Sequence, residues 1–499
     1  MKLIIIYDRI VRSKEYSSKN RVRLRKQEDP FSITNEQRIK QEQAIGQLIT
    51  IRIVRRMKMF TKKDLIRLII PLVIEQILAV TVGMADSMMV ARVGEAAVSG
   101  VSLVDSINVL LIGLFGALAT GGAVVTSQYL GRKDEKNACT SAEQLIAAIL
   151  VVSLAVMAIA LVFRKPILTL LFGNVEADVM MNAQIYMIIT SLSFPFLAVY
   201  NACAALFRSM GNSKVSMTIS LAMNLINIMG NAILIFGFGM GVAGAAIPTL
   251  VSRIFAAVTM FILISNRKYI IHIESIRNFK LNMSMIKRIL RIGVPNGLEN
   301  SVFQIGKILV QGIIAGLGTS AITANAIAGN IGGLGVLPGS AMGLAFITVI
   351  GQCVGAADYD GVKYYTRKLM KVTYLGMVLI NVGILFLIPA IVKLYNLTDV
   401  TSEITRQLIA YHCVLAMILW PSSFALPNVL RAANDVKFTM VVSMISMWVW
   451  RIGFSKLLVD LFGLGVLGVW IAMTIDWLFR SICFIVRFLK EKYRTMASL

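Results

Sequence analysis

The chain has 499 residues, of which 57% are hydrophobic and only 15% are charged, and its mean hydropathy is +0.75. A soluble domain cannot hide this much apolar surface in one core. The composition therefore excludes an ordinary soluble protein and indicates a chain that lies in a membrane.

The net charge is +24, and part of it lies in residues 1–64, where 17 Lys and Arg against 7 Asp and Glu leave +10. This segment is polar, has no repeat and has no secretory core, so we expect a basic, disordered N-terminal extension. Anionic lipid headgroups are the expected partner of the charge, and we expect no nucleic-acid binding.

Apolar runs long enough to cross a bilayer recur about every forty residues, since a spanning helix needs roughly 20 residues. The first half gives spans 65–92, 97–129, 140–163, 176–207, 214–237 and 243–265. The second half gives spans 284–316, 321–354, 364–390, 402–430, 437–461 and 466–488. The sequence predicts an all-α polytopic membrane protein with twelve transmembrane helices.

The second half of the chain repeats the first at an offset of 224, which slips to 223 where Arg208 matches Arg431. Pro71, Glu75, Gly94, Gln128, Gly131 and Asp134 return as Pro295, Glu299, Gly318, Gln352, Gly355 and Asp358. We therefore predict an N-lobe over 65–265, a cytoplasmic linker over 266–283, a C-lobe over 284–490 and a C-terminal tail over 491–499. Because six spans are an even number, the lobes are parallel repeats, with a substrate path between them.

Basic residues set the expected orientation in the membrane. Twenty-two Lys and Arg lie at one side of the predicted spans and five at the other. We expect a multi-pass protein of the plasma membrane with both termini in the cytoplasm.

Motifs for catalysis or for nucleotide binding are missing from the sequence. The five cysteines and two histidines have no metal-like spacing, and no phosphate-binding glycine loop appears. Nucleophile, base and metal clusters are also absent, so we expect no enzyme activity, no cofactor and no bound metal. Transport would then be driven by an ion gradient, or be passive.

Three acids are candidates for binding a cation, because an ionised carboxylate at bilayer depth costs about 2.5 to 3.5 kcal/mol. Glu75 and Asp86 share one face of the first helix, about 20° from eclipsed. Asp105 lies on the second helix roughly 16 Å below the intervening turn, close to the depth of Asp86 at roughly 12 Å. Such neighbouring carboxylates suit a carrier of protons or Na⁺. The alternative is that water in the cleft merely tolerates them.

Asn224, Asn227 and Asn231 place three amides on one face of the fifth predicted helix. These amides could line the same site. Alternatively, they hold helices together by hydrogen bonds.

Several segments together resemble the multidrug and toxic compound extrusion (MATE) family. These are Pro71 to Gly94 with Asp86 inside it, Gln128-Tyr129-Leu130-Gly131, Phe207-Arg208-Ser209-Met210-Gly211-Asn212, the helix of Asn227 and Asn231 that ends in Ile235-Phe236-Gly237, and Gly241-Val242-Ala243-Gly244-Ala245-Ala246. The resemblance covers about 65–490. It implies two six-helix bundles in a V and a secondary antiporter that exports organic cations in exchange for H⁺ or Na⁺.

The resemblance also implies a pocket in the N-lobe. Tyr186, Asn227, Asn231 and Thr249 fall where the family places polar side chains around the first-helix aspartate, here Asp86. Asn231 stands where proton-type relatives often have a second aspartate, and Na⁺ at Asp86 is an alternative to a proton. In the C-lobe, Phe303 and Trp420 stand where sodium-type relatives carry acids, so we expect that sodium site to be absent.

Helix 7 carries three further polar residues, Glu299, Gln304 and Lys307. Lys307 could compete with a cationic substrate, pair with Glu299, or extend toward the membrane surface. We expect a monomer that exports lipophilic organic cations. The alternative is a flippase for lipid-linked precursors in the same wider superfamily, which would need cationic residues in its cleft.

The first prediction concerns topology. Gly94, Gly239, Gly318 and Tyr395 should face outward, and Arg277, Asp358 and the C-terminus should face the cytoplasm. Single cysteines at these positions in a cysteine-free chain would be labelled in intact cells by a membrane-impermeant maleimide only at the first four. Labelling beside Arg277 from outside would contradict the predicted orientation.

Overall fold

The computed structural model describes residues 59–173, 175–273, 279–395 and 397–496. Most of the predicted N-terminal extension, together with Arg277 in the predicted linker and the last three residues of the predicted tail, therefore lies outside the described residues. The described part is almost entirely helical.

Six helical spans form each half of the described chain. In the first half they are α1 (Lys62–Ala91), α2 (Glu95–Gly131), α3 (Glu135–Val162), α4 (Ala177–Leu192 followed by Phe194–Ser209), α5 (Ser213–Gly237) and α6 (Gly241–Ile264). In the second half they are α7 (Met283–Ala315), α8 (Thr319–Gly335 followed by Leu337–Gly355), α9 (Tyr359–Leu394), α10 (Asp399–Ala432), α11 (Val436–Asp460) and α12 (Gly465–Leu489).

Among the described residues, ten helices are long and apolar enough to cross a membrane, and the two segments of α4 make an eleventh span. The twelfth is α7, which has 33 residues but carries several charges. It corresponds to α1 at the repeat offset. The predicted all-α fold with twelve transmembrane helices in two parallel six-helix repeats is confirmed.

The largest departure from the predicted spans is in α4. The span predicted as one run over 176–207 bends by 45° after Leu192. Pro195 lies at the start of its second segment, and a proline there leaves no N–H for the preceding turn. A short helix, Arg164–Phe172, also occupies what was predicted as a loop, and α1 begins at Lys62, three residues before the predicted start of the N-lobe.

The repeated residues explain how equivalent helices begin. Gly94 and Gly318 precede α2 and α8 with φ of 134° and 94°, a region that only glycine enters at no steric cost. Asp134 and Asp358 accept hydrogen bonds from the backbone at the starts of α3 and α9, at 3.1 and 2.8 Å. The same turn and the same cap therefore start the same helices in both lobes.

The two lobes contact each other through α2, which packs along α7 and the second segment of α8. Glycines allow this approach: a Cβ atom on Gly121 would lie 2.7 Å from the backbone nitrogen of Gly293 on α7. One hydrophobic core continues across this contact, from Leu118 on α2 to Ile289 on α7 and Ile350 on α8.

At one end of the molecule, four residues form a nearly symmetric contact that we call the closed end: Gln128, Gly131, Gln352 and Gly355. Gln128 Nε2 donates to the Ala432 carbonyl at 2.9 Å, and Gln352 Nε2 donates to the Ser209 carbonyl at 2.8 Å. A Cβ atom on Gly131 would overlap the Gln352 carbonyl oxygen, and one on Gly355 would overlap that of Gln128. Each lobe thus hydrogen-bonds the backbone of the other at equivalent positions.

Toward the opposite end the lobes separate. Gly113 on α2 and Asn300 on α7 lie at the edge of the contact. Beyond them Val109 is 48% exposed and Ile308 is 60% exposed. The molecule therefore has a cleft between its lobes that is shut at the closed end.

The second prediction concerns this contact. Gly355→Ala should force the closed end apart, because overpacking a close contact costs about 1 to 3 kcal/mol. We expect the fraction of molecules with a separated closed end to rise about tenfold. Spin labels at Lys136 on α3 and Asp360 on α9, in a chain without native cysteines, report the distance between the two lobes at the closed end by double electron–electron resonance.

Gly383→Ala is the matched control, because a Cβ atom there meets nothing within 4 Å. An unchanged distance distribution in Gly355→Ala would refute the role assigned to the closed end.

Candidate functional site

Asp86 on α1 faces two amides of α5. Asn231 Nδ2 donates to Asp86 Oδ1 at 2.7 Å. The amide of Asn227 lies between Asp86 and Thr249. With its nitrogen toward Asp86 it donates at 2.9 Å, and its oxygen accepts from the Thr249 hydroxyl at 3.0 Å. Two amides one helical turn apart thus hold one carboxylate.

Local sequence brings these helices together. A Cβ atom on Gly230 would lie 2.7 Å from Cβ of Pro248, so glycine lets α5 and α6 approach at the residues that adjoin Asn231 and Thr249. Directly after Asn231 the helix widens into a π-turn over Ala232–Gly237. Such turns are frequent at functional sites.

Asp105 on α2 is the second carboxylate of the site. Asn108 Nδ2 donates to Asp105 Oδ1 at 3.2 Å, and the Tyr186 hydroxyl of α4 also hydrogen-bonds it. Asp105 lies close enough to Asp86 for the two carboxylates to repel each other. Asp86 and Asp105, for which the sequence predicts a similar depth in the membrane, therefore interact electrostatically in the structure.

Arg253 on α6 belongs to this site and was not predicted from the sequence. Its Nη1 donates to Ser193 Oγ at 2.6 Å, and its guanidinium interacts electrostatically with Asp86, Asp105 and Tyr186. It is the sole charged residue in the sequence of α6, and a charge inside an apolar span is a signal of function in itself. With all three groups ionised, two carboxylates and one guanidinium leave one negative charge.

Glu75 and Glu299 do not join this group. Glu75 pairs with Arg208 at 3.4 Å, and its repeat equivalent Glu299 pairs with Arg431 at 2.8 Å. Each glutamate also accepts from a serine hydroxyl of the helix that follows its arginine. Because glutamate and arginine recur together at the repeat offset, this geometry assigns the pair a role in holding each bundle together.

Two further predicted residues make no hydrogen bond to this site. Asn224 is buried one helical turn before Asn227, and its Nδ2 has no hydrogen-bond partner among the described residues. Gln304 is half-buried on α7. The structure thus brings together Asp86, Asp105, Tyr186, Asn227, Asn231 and Thr249, which with Arg253 we call the Asp86 group. Outside it are Glu75, Asn224, Glu299 and Gln304.

In the C-lobe, two cationic side chains lie beside Phe303, one of the two positions at which sodium-type relatives carry acids. Lys307 Nζ lies 5.2 Å from the ring centre of Phe303, and so does the Arg451 guanidinium. Glu299 pairs with Arg431 and Arg480, and no salt bridge joins it to Lys307 among the described residues.

The Asp86 group of the N-lobe has the chemistry of a cation site. The carboxylates of Asp86 and Asp105 can each accept a proton, and carboxylate and hydroxyl oxygens are also ligands that Na⁺-like hard cations take.

Comparison with known families identifies the architecture. The model of the family described as MatE matches residues 71–233 and again 295–457. The two matches begin 224 residues apart, which is the offset of the internal repeat. The family unit is therefore present twice, once in each half.

Curated relatives match over most of their length. The Uncharacterized transporter YisQ of Bacillus subtilis is 29% identical over 429 residues, covering 83% of this chain and 90% of that protein. The Probable multidrug resistance protein NorM of Thermotoga maritima is 27% identical over 453 residues, covering 88% and 94%.

Solved structures share the fold. A structure titled "Crystal structure of MATE in complex with MaD3S" aligns with a TM-score of 0.81 at 20% identity, covering 88% of this chain and 97% of that one. The "Outward-facing conformation of a multidrug resistance MATE family transporter of the MOP superfamily" aligns at 0.79 and 20%, with the same coverage. With its two family matches, its twelve spans and this fold, the chain belongs to the MatE family of membrane transporters.

Proposed function

We propose that this transporter exports lipophilic organic cations, including drugs and toxic compounds, in exchange for H⁺ or Na⁺. The names of relatives such as NorM support multidrug export. The observation that carries the proposal is the group around Asp86, which leaves a net negative charge among apolar helices that line a cleft.

Competition for this charge would couple the two fluxes. An ionised carboxylate away from water is costly unless a cation or a proton compensates it. Asp86 can hold an organic cation or a coupling ion, and either one excludes the other. Binding from one side and release to the other then gives antiport.

Arg253 would set the charge stoichiometry. Its guanidinium interacts with both Asp86 and Asp105, so it compensates one of the two carboxylates. A single monovalent cation or one proton then completes the balance. This arrangement favours substrates with one positive charge.

The closed end would be the cytoplasmic gate. It lies at the helix ends that carry most of the Lys and Arg residues, which face the cytoplasm by the positive-inside rule. The described state then opens outward, with the Asp86 group accessible from outside, and both termini lie in the cytoplasm. Separation of Gly131 from Gln352, and of Gly355 from Gln128, would open the cleft inward, as alternating access requires.

The flippase alternative finds no support at this site. A carrier of lipid-linked phosphates would need cationic residues in its main cleft, whereas the Asp86 group is acidic overall. We further propose that the chain acts as a monomer in the plasma membrane, since each site residue in the group comes from one lobe of one chain.

The third prediction concerns the coupling residue. Asp86→Asn keeps the shape but removes the charge, so it should lower gradient-driven efflux at least about tenfold while expression and folding stay near normal. Asp105→Asn should cause a milder loss and shift the pH optimum, because it removes the neighbouring charge. Efflux of ethidium from vesicles across a series of pH values measures both.

Asp178→Asn is the matched control, since Asp178 is exposed at the start of α4. Extrusion of dye by Asp86→Asn at the wild-type rate at every pH would show that Asp86 is not the coupling residue.

The fourth prediction concerns the coupling ion. Vesicles loaded with ethidium and given either a proton gradient or a Na⁺ gradient alone should show efflux with one gradient and none with the other. The protein in vesicles without a gradient, and Asp86→Asn with each gradient, are the controls. Equal dye movement in all arms would refute antiport.

A further inference from the structure

The C-lobe contains a cavity of about 510 Å³ at the position of the Asp86 group. At the repeat offset, Asp86, Asp105, Thr249 and Arg253 correspond to Val310, Gly329, Met473 and Trp477, and all four of these C-lobe residues line the cavity. The duplicated fold therefore forms a pocket at the same place twice. In the second copy both carboxylates are gone.

Cations replace them. Lys307 and Arg451 both line the cavity, and both lie 5.2 Å from the ring centre of Phe303. Arg451 has a weak ion pair with Asp476 at 3.5 Å. Lys307 makes no salt bridge to any described residue. An ammonium beside a guanidinium in a partly enclosed space attracts an anion.

The charges behind the cavity do not cancel this field. Two acids stand there, Glu299 and Asp476, and they are shared among Arg431, Arg451 and Arg480. Counting Lys307 as well, four cations face two carboxylates. The surroundings of the cavity therefore carry two positive charges in excess when all groups are ionised.

The walls of the cavity are aromatic. Trp420 and Phe424 stack with their ring centres 5.1 Å apart and their planes 22° apart. The His412 ring lies edge-on between Trp470 and Trp477, 5.4 Å from each. Faces of this kind favour a flat apolar ligand over a strongly hydrated one.

A chain of hydrogen bonds orders one wall. Trp470 Nε1 can only donate, and it donates to Asn325 Oδ1 at 2.9 Å. The Asn325 amide nitrogen then donates to Gln311 Oε1 at 3.0 Å. All three residues line the cavity, so polar side chains of fixed orientation lie among its aromatic rings.

We propose that this cavity is a second binding site, of opposite polarity to the Asp86 group, for a planar aromatic monoanion such as an arene carboxylate. Lys307 and Arg451 hold the carboxylate, and the rings of Trp420 and Phe424 contact the arene. A volume of about 510 Å³ lies within the range of drug-sized pockets. The site is independent of the proposed cation export, because no residue of the Asp86 group contributes to it.

Binding of naphthalene-1-carboxylate to the full chain in discs of zwitterionic lipid tests the proposal by isothermal titration calorimetry. The neutral naphthalene-1-carboxamide shares its ring, and inorganic pyrophosphate shares only its negative charge. We expect the carboxylate to bind at least about tenfold more tightly than either of them. Equal or tighter binding of the amide or of pyrophosphate would overturn the proposal.

Variants locate the site. Lys307→Gln should weaken carboxylate binding about tenfold or more, whereas Lys307→Arg should keep most of the affinity. Lys456→Gln, an exposed lysine of the same lobe outside the cavity, and Asp86→Asn should leave it unchanged. Wild-type affinity in Lys307→Gln would refute the assignment. The comparison among ligands on the wild-type chain holds even where a variant does not fold.

Discussion

The contact at the closed end constrains the rest of the structure. Gly131 and Gly355 bring backbone against backbone, so that no side chain of either lobe can enter between them. Because Gln128 and Gln352 bind carbonyl groups of the opposite lobe there, the lobes are held together at one end, and they separate at the other. This arrangement leaves a cleft between them. Polar residues deep inside each bundle then become reachable from the side on which the lobes diverge.

The two repeats share the residues that position their helices but differ in the residues that line their pockets. Glycine turns, aspartate caps and the glutamate–arginine pairs recur in both lobes, since they position helices. The residues that face the two equivalent pockets do not recur: Asp86 and Asp105 in one lobe correspond to Val310 and Gly329 in the other. A buried charge needs a partner of opposite sign, so each pocket acquired its own set, with Arg253 beside the acids and aromatic rings beside Lys307 and Arg451.

The fold was predictable because hydropathy and a long repeat act over hundreds of residues. The repeat also brought out Glu75 and Glu299, but it could not reveal their partners in space. Six of the ten predicted site residues come together, because polar groups inside a membrane pair with one another. Asn224 and Gln304 are also intramembrane amides, but neither hydrogen-bonds to this site. Arg253 was not predicted, because the positive-inside rule considers basic residues at the ends of spans, although a lone arginine within an apolar span is visible in the sequence. The bend of α4 depends on a local effect at Pro195. Hydropathy averaged over the roughly 20 residues of a span does not detect it.

The near-symmetry of the closed end has a consequence for the origin of the protein. In an isologous interface, if residue i of one partner contacts residue j of the other, then residue j of the first also contacts residue i of the second. Gln128 reaches Ala432 while Gln352 reaches Ser209, and Ala432 and Ser209 are themselves equivalent at the offset of 223. A chain of half this length would carry one such glutamine, one glycine and one carbonyl, and could form the same pair of reciprocal hydrogen bonds with its own copy. Fusion of two such genes would then have released each pocket to diverge separately.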